Sequence, residues 1–187
     1  MAKATSKKPQ QGREETIALL ADLLKQLPEE DYPLVAFGIR AYYRDSMGKP
    51  GVNDRGIWDD ANGWLERTGD KMYAIFVANC DPTVAHRKGV GSIHAPQIVH
   101  FKIGLHKGRQ AFRQAAPMLV VRDDIGTVIA PVDCAFNWHD SLSEGTSSLG
   151  CQTNPKEIFP AVRELGYMLV RKHYPKTLTF PYLLVAR

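Results

Sequence analysis

One cysteine and one histidine, separated by eleven residues, are the side chains of this sequence best suited to chemistry. His139 ends an apolar and aromatic segment typical of a β-strand, and the residues between it and Cys151 are mostly small or polar. A thiol becomes an effective nucleophile when an imidazole lies close enough to take its proton. A strand followed by a loop of this length can bring the two together, so the sequence predicts thiol chemistry with His139 as the base.

The residues beside Cys151 suit the same chemistry. Gly150 has no side chain, so the backbone N–H groups next to the nucleophile are predicted to face a developing oxyanion. A helix expected after Cys151 would add N–H dipoles that stabilise a thiolate. His106 ends a predicted strand and has two interpretations: a site residue, as substrate ligand or second imidazole, or an ordinary residue at a strand end.

The run FNWHDSLSEGTSSLGCQT, residues 136–153, carries a family resemblance. A histidine, a spacer of this length and an ending Ser-x-Gly-Cys resemble the signature of the L,D-transpeptidase catalytic domain. The longer ending Ser-Ser-x-Gly-Cys-Gln-Thr is similar to that of phage-encoded lysis proteins, as are residues 42–60 and 77–83. The looser resemblance covers most of residues 37–160.

The resemblance implies an activity and a set of site residues. L,D-transpeptidases form a thioester between their cysteine and a cell-wall tetrapeptide, which makes Cys151 the nucleophile and His139 the base. A backbone carbonyl is the usual third member, so no Asp is required to orient the histidine. The implied protein is an endolysin-like peptidoglycan hydrolase that needs no cofactor and no metal. Four further residues are implied to bind substrate or oxyanion: Gly150, Ser148, Gln152 and His106.

The sequence also departs from that family. Leu149 stands where His or Arg is usual, Thr153 where Arg is usual, and Asp140 where Gly is common. The family's arginine helps to hold the substrate, and transfer to an amine needs a more closely held acceptor than hydrolysis does. Hydrolysis is therefore favoured over the first alternative, an L,D-transpeptidase. The second alternative is a non-catalytic protein that binds cell wall or forms part of a virion.

The elements that must position these residues predict a β-rich α+β domain, and the resemblance implies that its core is L,D-transpeptidase-like. Apolar spacing predicts helices near residues 14–27 and 158–173, one in the N-terminal and one in the C-terminal region. The order of elements does not alternate between strand and helix, which argues against a doubly wound parallel sheet. Segment 33–45 fits either a strand or a helix. Strands are predicted at five further segments: 71–79, 98–105, 117–122, 133–139 and 177–185.

The length of 187 residues and hydrophobic content of 44% fit one catalytic domain, residues 14–187, after a disordered basic leader, residues 1–13. The leader holds part of the net charge of +4 and is either simply solvated or weakly attracted to anionic polymers. Peptidoglycan is the predicted partner; nucleic-acid binding and membrane insertion are not predicted, and a monomer is favoured. Because no secretory signal is recognised, we expect the host cytoplasm until release to the wall.

Several other residues receive ordinary interpretations. Cys80 and Cys134 are predicted to lie in the core, and three cysteines without a Cys-x-x-Cys pair argue against a disulfide framework. The spacings of His86, His94 and His100 do not match a helical zinc-binding pair. The adjacent pairs at 59–60 and 123–124 are expected in turns or on the surface. Five aromatic residues fit either the core or sugar stacking: Tyr42, Tyr43, Trp58, Trp64 and Trp138.

Overall fold

The computed structural model describes residues 9, 12–43, 55–82, 88–134, 136–141, 146 and 148–186. These residues form two helices, α1 (Arg13–Leu24) and α2 (Phe159–His173), and two β-sheets. The strands of the described residues are β1 (Leu34–Arg40), β2 (Asp60–Glu66), β3 (Lys71–Ala78), β4 (Gly91–Ile93), β5 (Gln97–His106), β6 (Arg109–Gln114), β7 (Met118–Arg122), β8 (Gly126–Ala130), β9 (Trp138–Asp140), β10 (Gln152–Asn154) and β11 (Thr179–Ala186). The predicted β-rich α+β class is confirmed.

Eight of these strands form one mixed sheet in the order β10-β9-β6-β5-β11-β1-β2-β3. Its two ends meet, because the N–H groups of Asn79 and Thr153 each donate to the other residue's carbonyl at 2.8 Å. The sheet is therefore nearly closed. Strands β4, β7 and β8 make a separate three-stranded sheet. The pairs β1–β11 and β9–β10 are parallel, and β10 is thereby held directly beside the strand that carries His139.

An aromatic cluster anchors that strand. Trp138 is fully buried, stacks on Trp64 at 5.5 Å between ring centroids, and donates its indole N–H to Asn154 Oδ1 at 2.7 Å. Phe112 lies 4.9 Å from Trp138 and contacts Tyr167 of α2. Large rings of this kind dominate core energetics, so β9 is fixed in place and successive side chains point to opposite faces. The core interpretation of the tryptophans is the one observed.

The segment after Cys151 differs from the prediction. Strand β10 follows Cys151 directly, and α2 begins only at Phe159. The expected contribution of a helix N-terminus to a Cys151 thiolate is therefore wrong. The predicted strand at 133–139 is also mostly absent, because a 3-10 turn (Val132–Cys134) precedes the short β9.

Helix α1 begins one residue earlier and ends three residues earlier than predicted. Arg13 is the first residue of α1, and its guanidinium donates to the backbone carbonyl of Met72 in β3. Of the predicted leader, residues 1–8, 10 and 11 lie outside the described residues. The predictions made for those positions stay predictions. No helix in the described part of the chain is long and apolar enough to cross a bilayer.

Candidate active site

A pocket of about 360 Å³ contains the predicted nucleophile and base. It lies where the β5–β6 hairpin, β9 and the turn before β10 come together. Its lining residues are Gly89, His106, Lys107, Arg122, Cys134, Phe136, His139, Ser148, Leu149, Gly150 and Cys151. The structure therefore brings together five of the six residues implied by the motif. The sixth, Gln152, does not line the pocket.

Cys151 is half-buried, and a backbone N–H aims at its sulfur. Asn137 N donates to Sγ at 3.4 Å. Burial raises the pKa of the Cys151 thiol, while the hydrogen bonds from Asn137 and Ser148 and the charge of Lys107 act in the opposite direction. Burial is the largest of these effects. The thiol is therefore protonated at neutral pH, and it would need a base to act as a nucleophile.

Ser148 closes the turn that presents the cysteine. Its Oγ accepts a hydrogen bond from Gly150 N at 2.9 Å and donates to the carbonyl of Cys151 at 2.8 Å. The N–H group of Gly150, predicted to face an oxyanion, is thus engaged by Ser148 in this structure. The oxyanion role of Gly150 stays a prediction, and it would require this hydrogen bond to be exchanged.

Gly150 is nevertheless the residue that the turn requires. Its φ is +152°, and an added Cβ would lie 2.4 Å from both Phe136 Cε1 and the carbonyl of Gly91. Gly91 N also donates to the carbonyl of Leu149 at 3.1 Å, which ties this turn to β4 of the small sheet. A side chain at position 150 would force the turn away from β4 and displace the thiol.

Neither Gln152 nor Thr153 is among the residues that line the pocket. Gln152 is fully buried, accepts from Tyr182 OH at 3.0 Å, and donates to the carbonyl of Cys80 at 3.4 Å. Thr153 is also fully buried and donates its hydroxyl to the carbonyl of Thr146 at 3.0 Å. Gln152 is therefore placed to hold β10 in register, and its implied contact with substrate stays a prediction without a geometric basis.

His139 is oriented by the backbone of its neighbour. Its Nδ1 lies 2.6 Å from the carbonyl oxygen of Asp140, and a carbonyl can only accept. Nδ1 therefore carries the proton of the neutral ring, and Nε2 presents a lone pair. Burial lowers the pKa of His139, opposed by the Asp140 carbonyl and carboxylate. The imidazole is neutral at pH 7, as a general base must be.

A second imidazole lies against the base. The ring of His106 stacks on His139 with centroids 4.7 Å apart and an interplanar angle of 19°. His106 Nδ1 lies 2.9 Å from Asn137 Nδ2. Burial, followed by nearby positive groups, lowers the pKa of His106 to about 4. The site interpretation of His106, one of the two left open by the sequence, is the one that its position supports.

Sequence reasoning missed Asn137, although a signal was available. Residues two apart on a strand share a face, and Asn137 precedes His139 by two. Asn137 holds Cys151 through its backbone N–H and His106 through its side chain. Its backbone carbonyl also accepts from Gln152 N at 2.8 Å. One residue thus connects the nucleophile to the second imidazole.

Two cations line the pocket and were also missed. Lys107 occupies the β5–β6 turn with a φ of +50°, followed by Gly108 at +78°, the pattern of a tight two-residue hairpin. Arg122 lies over the Phe136 ring at 5.4 Å and donates to the carbonyl of Gly89 at 3.2 Å. Neither position is marked in the sequence, because only the fold brings the hairpin and the small sheet to the same pocket.

The other cysteines and histidines singled out in the sequence lie in different surroundings. Cys80 is fully buried, which confirms its predicted core position, whereas Cys134 is half-buried and packs against the core while also lining the pocket. His86 lies outside the described residues. Within the described ranges, which omit residues 44–54 and 83–87 among others, no cluster of three His, Cys, Asp or Glu residues could hold a metal ion.

The predicted surface position of the Asp59–Asp60 pair is wrong, since both residues are fully buried. Asp60 accepts from Ala41 N at 2.8 Å and from Cys80 N at 2.5 Å. Asp81, also buried, forms a 3.0 Å ion pair with Arg40. We call Asp59, Asp60, Asp81 and Arg40 the acid cluster. It lies behind the pocket, and the Cys80 carbonyl accepts from Arg40 Nη2 at 3.1 Å as well as from the side chain of Gln152.

The Asp123–Asp124 pair lies in the turn between β7 and β8, which is one of the two positions expected for it. The Asp123 side chain is nevertheless only 4% exposed and accepts two hydrogen bonds of 2.7 Å from Arg55. One carboxylate of the pair is therefore buried against an arginine.

Comparison with known proteins gives no relative: no family model, no curated protein and no solved structure matches the chain.

Proposed function

We propose that this protein is a cysteine peptidase that hydrolyses an amide bond in the peptide stems or cross-links of peptidoglycan. The observation that carries the proposal is the tautomer of His139, which is fixed by its hydrogen bond. Its Nδ1–H is held by the Asp140 carbonyl, so the lone pair of Nε2 is available in the pocket that also contains the Cys151 thiol. The substrate class rests on the resemblance of residues 136–153 to cell-wall enzymes.

The first chemical step forms a thioester. His139 Nε2 takes the proton of the Cys151 thiol as Sγ attacks the substrate carbonyl, and the carbonyl oxygen becomes an oxyanion. The tetrahedral intermediate collapses, the C–N bond breaks, and the imidazolium of His139 returns its proton to the leaving amine. The intermediate is an acyl group joined to Cys151, and His139 is neutral again.

The second step releases the product. A water molecule gives a proton to His139 and attacks the thioester carbonyl, after which the C–S bond breaks and the proton passes to the Cys151 sulfur. The sum is amide plus water to carboxylic acid plus amine, with no oxidant or cofactor. An amine in place of water would give a transpeptidase, so the same thioester serves both alternatives.

The charge of the pocket supports a substrate that bears carboxylates. Lys107 and Arg122 line it, and wall peptide stems carry free carboxylate groups. These cations also bear on the departure at position 153. Thr153 is buried, donates to the carbonyl of Thr146 and does not line the pocket, so the side chain at that position gives the pocket no cation. We infer that Lys107 and Arg122 take over the role of the family's arginine and hold the substrate carboxylate.

The test is incubation with purified sacculi and mass analysis of the released muropeptides. Cys151→Ala and His139→Ala should each lower release by about 10³-fold or more. Cys134→Ala is the matched control, because it also removes a thiol from the pocket lining, and it should retain activity. Released muropeptides that end in a new free carboxylate would support hydrolysis, whereas muropeptides that carry an added D-amino acid would support transpeptidation. Undiminished release by Cys151→Ala would overturn the thiol mechanism.

A further inference from the structure

The two stacked imidazoles have different hydrogen-bond partners, and the partner decides which nitrogen of each ring carries the proton. His139 faces a carbonyl, which only accepts. His106 faces the side-chain amide of Asn137, whose orientation is fixed elsewhere: Asn137 Oδ1 accepts from the backbone N–H of Gln114 at 3.2 Å. A backbone N–H can only donate, so the amide oxygen lies at Gln114 and the NH₂ group lies at His106.

The amide NH₂ of Asn137 is a donor, so His106 Nδ1 must accept. A neutral imidazole that accepts at Nδ1 carries its proton on Nε2. His106 therefore has the opposite tautomer to His139, which carries its proton on Nδ1. The pair presents one bare nitrogen and one N–H from parallel rings 4.7 Å apart. One ring is suited to accept a proton, and the other is suited to donate a hydrogen bond.

The pocket also needs such a donor. The predicted oxyanion donor Gly150 N already donates to Ser148 Oγ. A preorganised N–H that is aimed at a developing negative charge and is not an acid stabilises the oxyanion without losing its proton. The Nε2–H of His106 is a candidate for this donor, because His106 lines the pocket with Cys151 and its Nδ1 is held by Asn137.

We propose that His106 donates its Nε2–H to the oxyanion formed when Cys151 attacks, and that Asn137 is a positioning residue that fixes the required tautomer. The role in catalysis rests on the proposed function, while the tautomer stands independently of it. No proton is transferred by His106: its N–H hydrogen bond shortens as negative charge develops on the carbonyl oxygen and relaxes when the intermediate collapses.

Asn137→Asp is the variant that separates this proposal from a structural role. A carboxylate keeps an acceptor for Gln114 N but presents an oxygen to His106, which forces the proton onto Nδ1 and leaves Nε2 bare. The backbone contacts of residue 137 with Cys151 and Gln152 do not depend on its side chain. The readout is the ¹⁵N spectrum of the histidine rings at about pH 8.5, where an Asp-paired imidazole is neutral, with His106→Gln used to assign the signals.

The expected spectrum shows His106 protonated on Nε2 in the wild type and on Nδ1 in Asn137→Asp, with His139 unchanged. In the sacculus assay, His106→Ala and Asn137→Asp should each lower the catalytic rate by about 10²–10³-fold with little change in KM. The double variant should be no slower than His106→Ala alone, because Asn137 acts through His106. His106→Gln, whose amide retains an N–H, should recover part of the loss.

Two results would overturn the proposal. A wild-type spectrum with the His106 proton on Nδ1 excludes the donor role outright. Losses that multiply in the double variant would show that Asn137 acts independently of His106. Failure of the proposed function is recognised separately: wild-type protein would release no muropeptides, so the catalytic role would fall, while the spectra would still report the two tautomers.

Discussion

The pocket and the acid cluster both bury titratable side chains, but in different polar surroundings. In the pocket, Asn137 N donates to the Cys151 sulfur and Asn137 Nδ2 to His106, so neighbouring groups compensate for part of the lost hydration. In the acid cluster, neither carboxyl oxygen of Asp59 has a hydrogen-bond partner within the described residues, and the same holds for Asp81 Oδ2. Burial of Asp59 is therefore not offset by any hydrogen bond among the described residues, whereas Asp60 accepts two backbone N–H groups and Asp81 pairs with Arg40.

The difference separates catalysis from stability. Burial first, and then the neighbouring carboxylates, raise the pKa of Asp59, and burial followed by Asp81 raises that of Asp60 to about 7. The pocket imidazoles shift the other way, since burial lowers the pKa of a base. We therefore expect the acid cluster to control stability at high pH and the pocket to control chemistry. Three experiments can break or sharpen that division.

The largest expected effect is on the acid cluster. Arg40 is 8% exposed, pairs with Asp81, and donates to the carbonyl of Ile93 at 2.8 Å. Arg40→Met leaves a buried carboxylate without its cation, which costs about 3–5 kcal/mol of unfolding free energy. Urea denaturation followed by circular dichroism measures this loss. The cost should far exceed that of Cys151→Ala, which removes a single sulfur from a pocket.

Arg163→Met is the matched control for this prediction. Arg163 pairs with Glu164 on the surface of α2, so the same substitution there should change stability by only about 0–1 kcal/mol. If Arg40→Met is as mild as the control, the acid cluster is not what limits stability, and the contrast between the two buried regions collapses.

The second effect is a change in how the unfolding free energy depends on pH. Protonated Asp59 and Asp60 contribute stability that is fully present below the unfolded carboxyl pKa of about 4. That contribution is lost as pH rises through the folded pKa, which is about 7 for Asp60. For neutral His106 the sign is opposite: its contribution is present above about pH 6.5, and is lost as pH falls toward the folded pKa of about 4.

Asp59→Asn tests this slope, because an amide is close in shape to a protonated carboxyl and does not titrate. One proton held by the folded state alone changes stability by about 1.4 kcal/mol per pH unit. Urea midpoints should therefore decline less steeply above about pH 6 in Asp59→Asn than in the wild type. His106→Gln should reduce the pH dependence of the urea midpoint only on the acidic side of the profile. Equal slopes in wild type and Asp59→Asn would mean that Asp59 is ionised in the folded protein.

These two regions also mark what the sequence can predict. The helices and β3 follow local periodicity, which the fold preserves. Cys151 and His139 were predicted because their spacing along the chain restricts their distance in space. Asn137 was within reach of the same reasoning, since strand residues two apart share a face.

The burial of Asp59 and Asp60 was not predictable in that way. A pair of adjacent aspartates is typical of a turn, and its burial depends on partners remote in sequence: the N–H groups of Ala41 and Cys80 hold Asp60. Lys107 and Arg122 reach the pocket for a similar reason, because a hairpin and the small sheet must first assemble. Local patterns pointed to Cys151 as the candidate nucleophile, whereas its electrostatic surroundings are set by long-range pairing.

The smallest effect concerns the thiol itself. An imidazole beside a thiol can stabilise the thiolate as an ion pair, but burial raises the pKa of Cys151 above its ordinary 9.0 and lowers that of His139. Both groups are then neutral at rest, and under the proposed mechanism the proton moves only during attack.

The rate of iodoacetamide labelling follows the thiolate fraction, so its pH profile should have an inflection above that of free cysteine measured alongside. Ser148→Ala removes a group that favours the thiolate and should slow labelling of Cys151 near neutral pH by less than about tenfold, the value of one hydrogen bond.

His139→Ala should leave the inflection above that of free cysteine while abolishing hydrolysis, since the proposed reaction needs a general base and the resting protein does not. Peptide mapping by mass spectrometry separates Cys151 from Cys80 and Cys134. An inflection below neutrality that rises in His139→Ala would instead establish a resting ion pair, and the pocket would then overcome burial far more completely than its hydrogen bonds suggest.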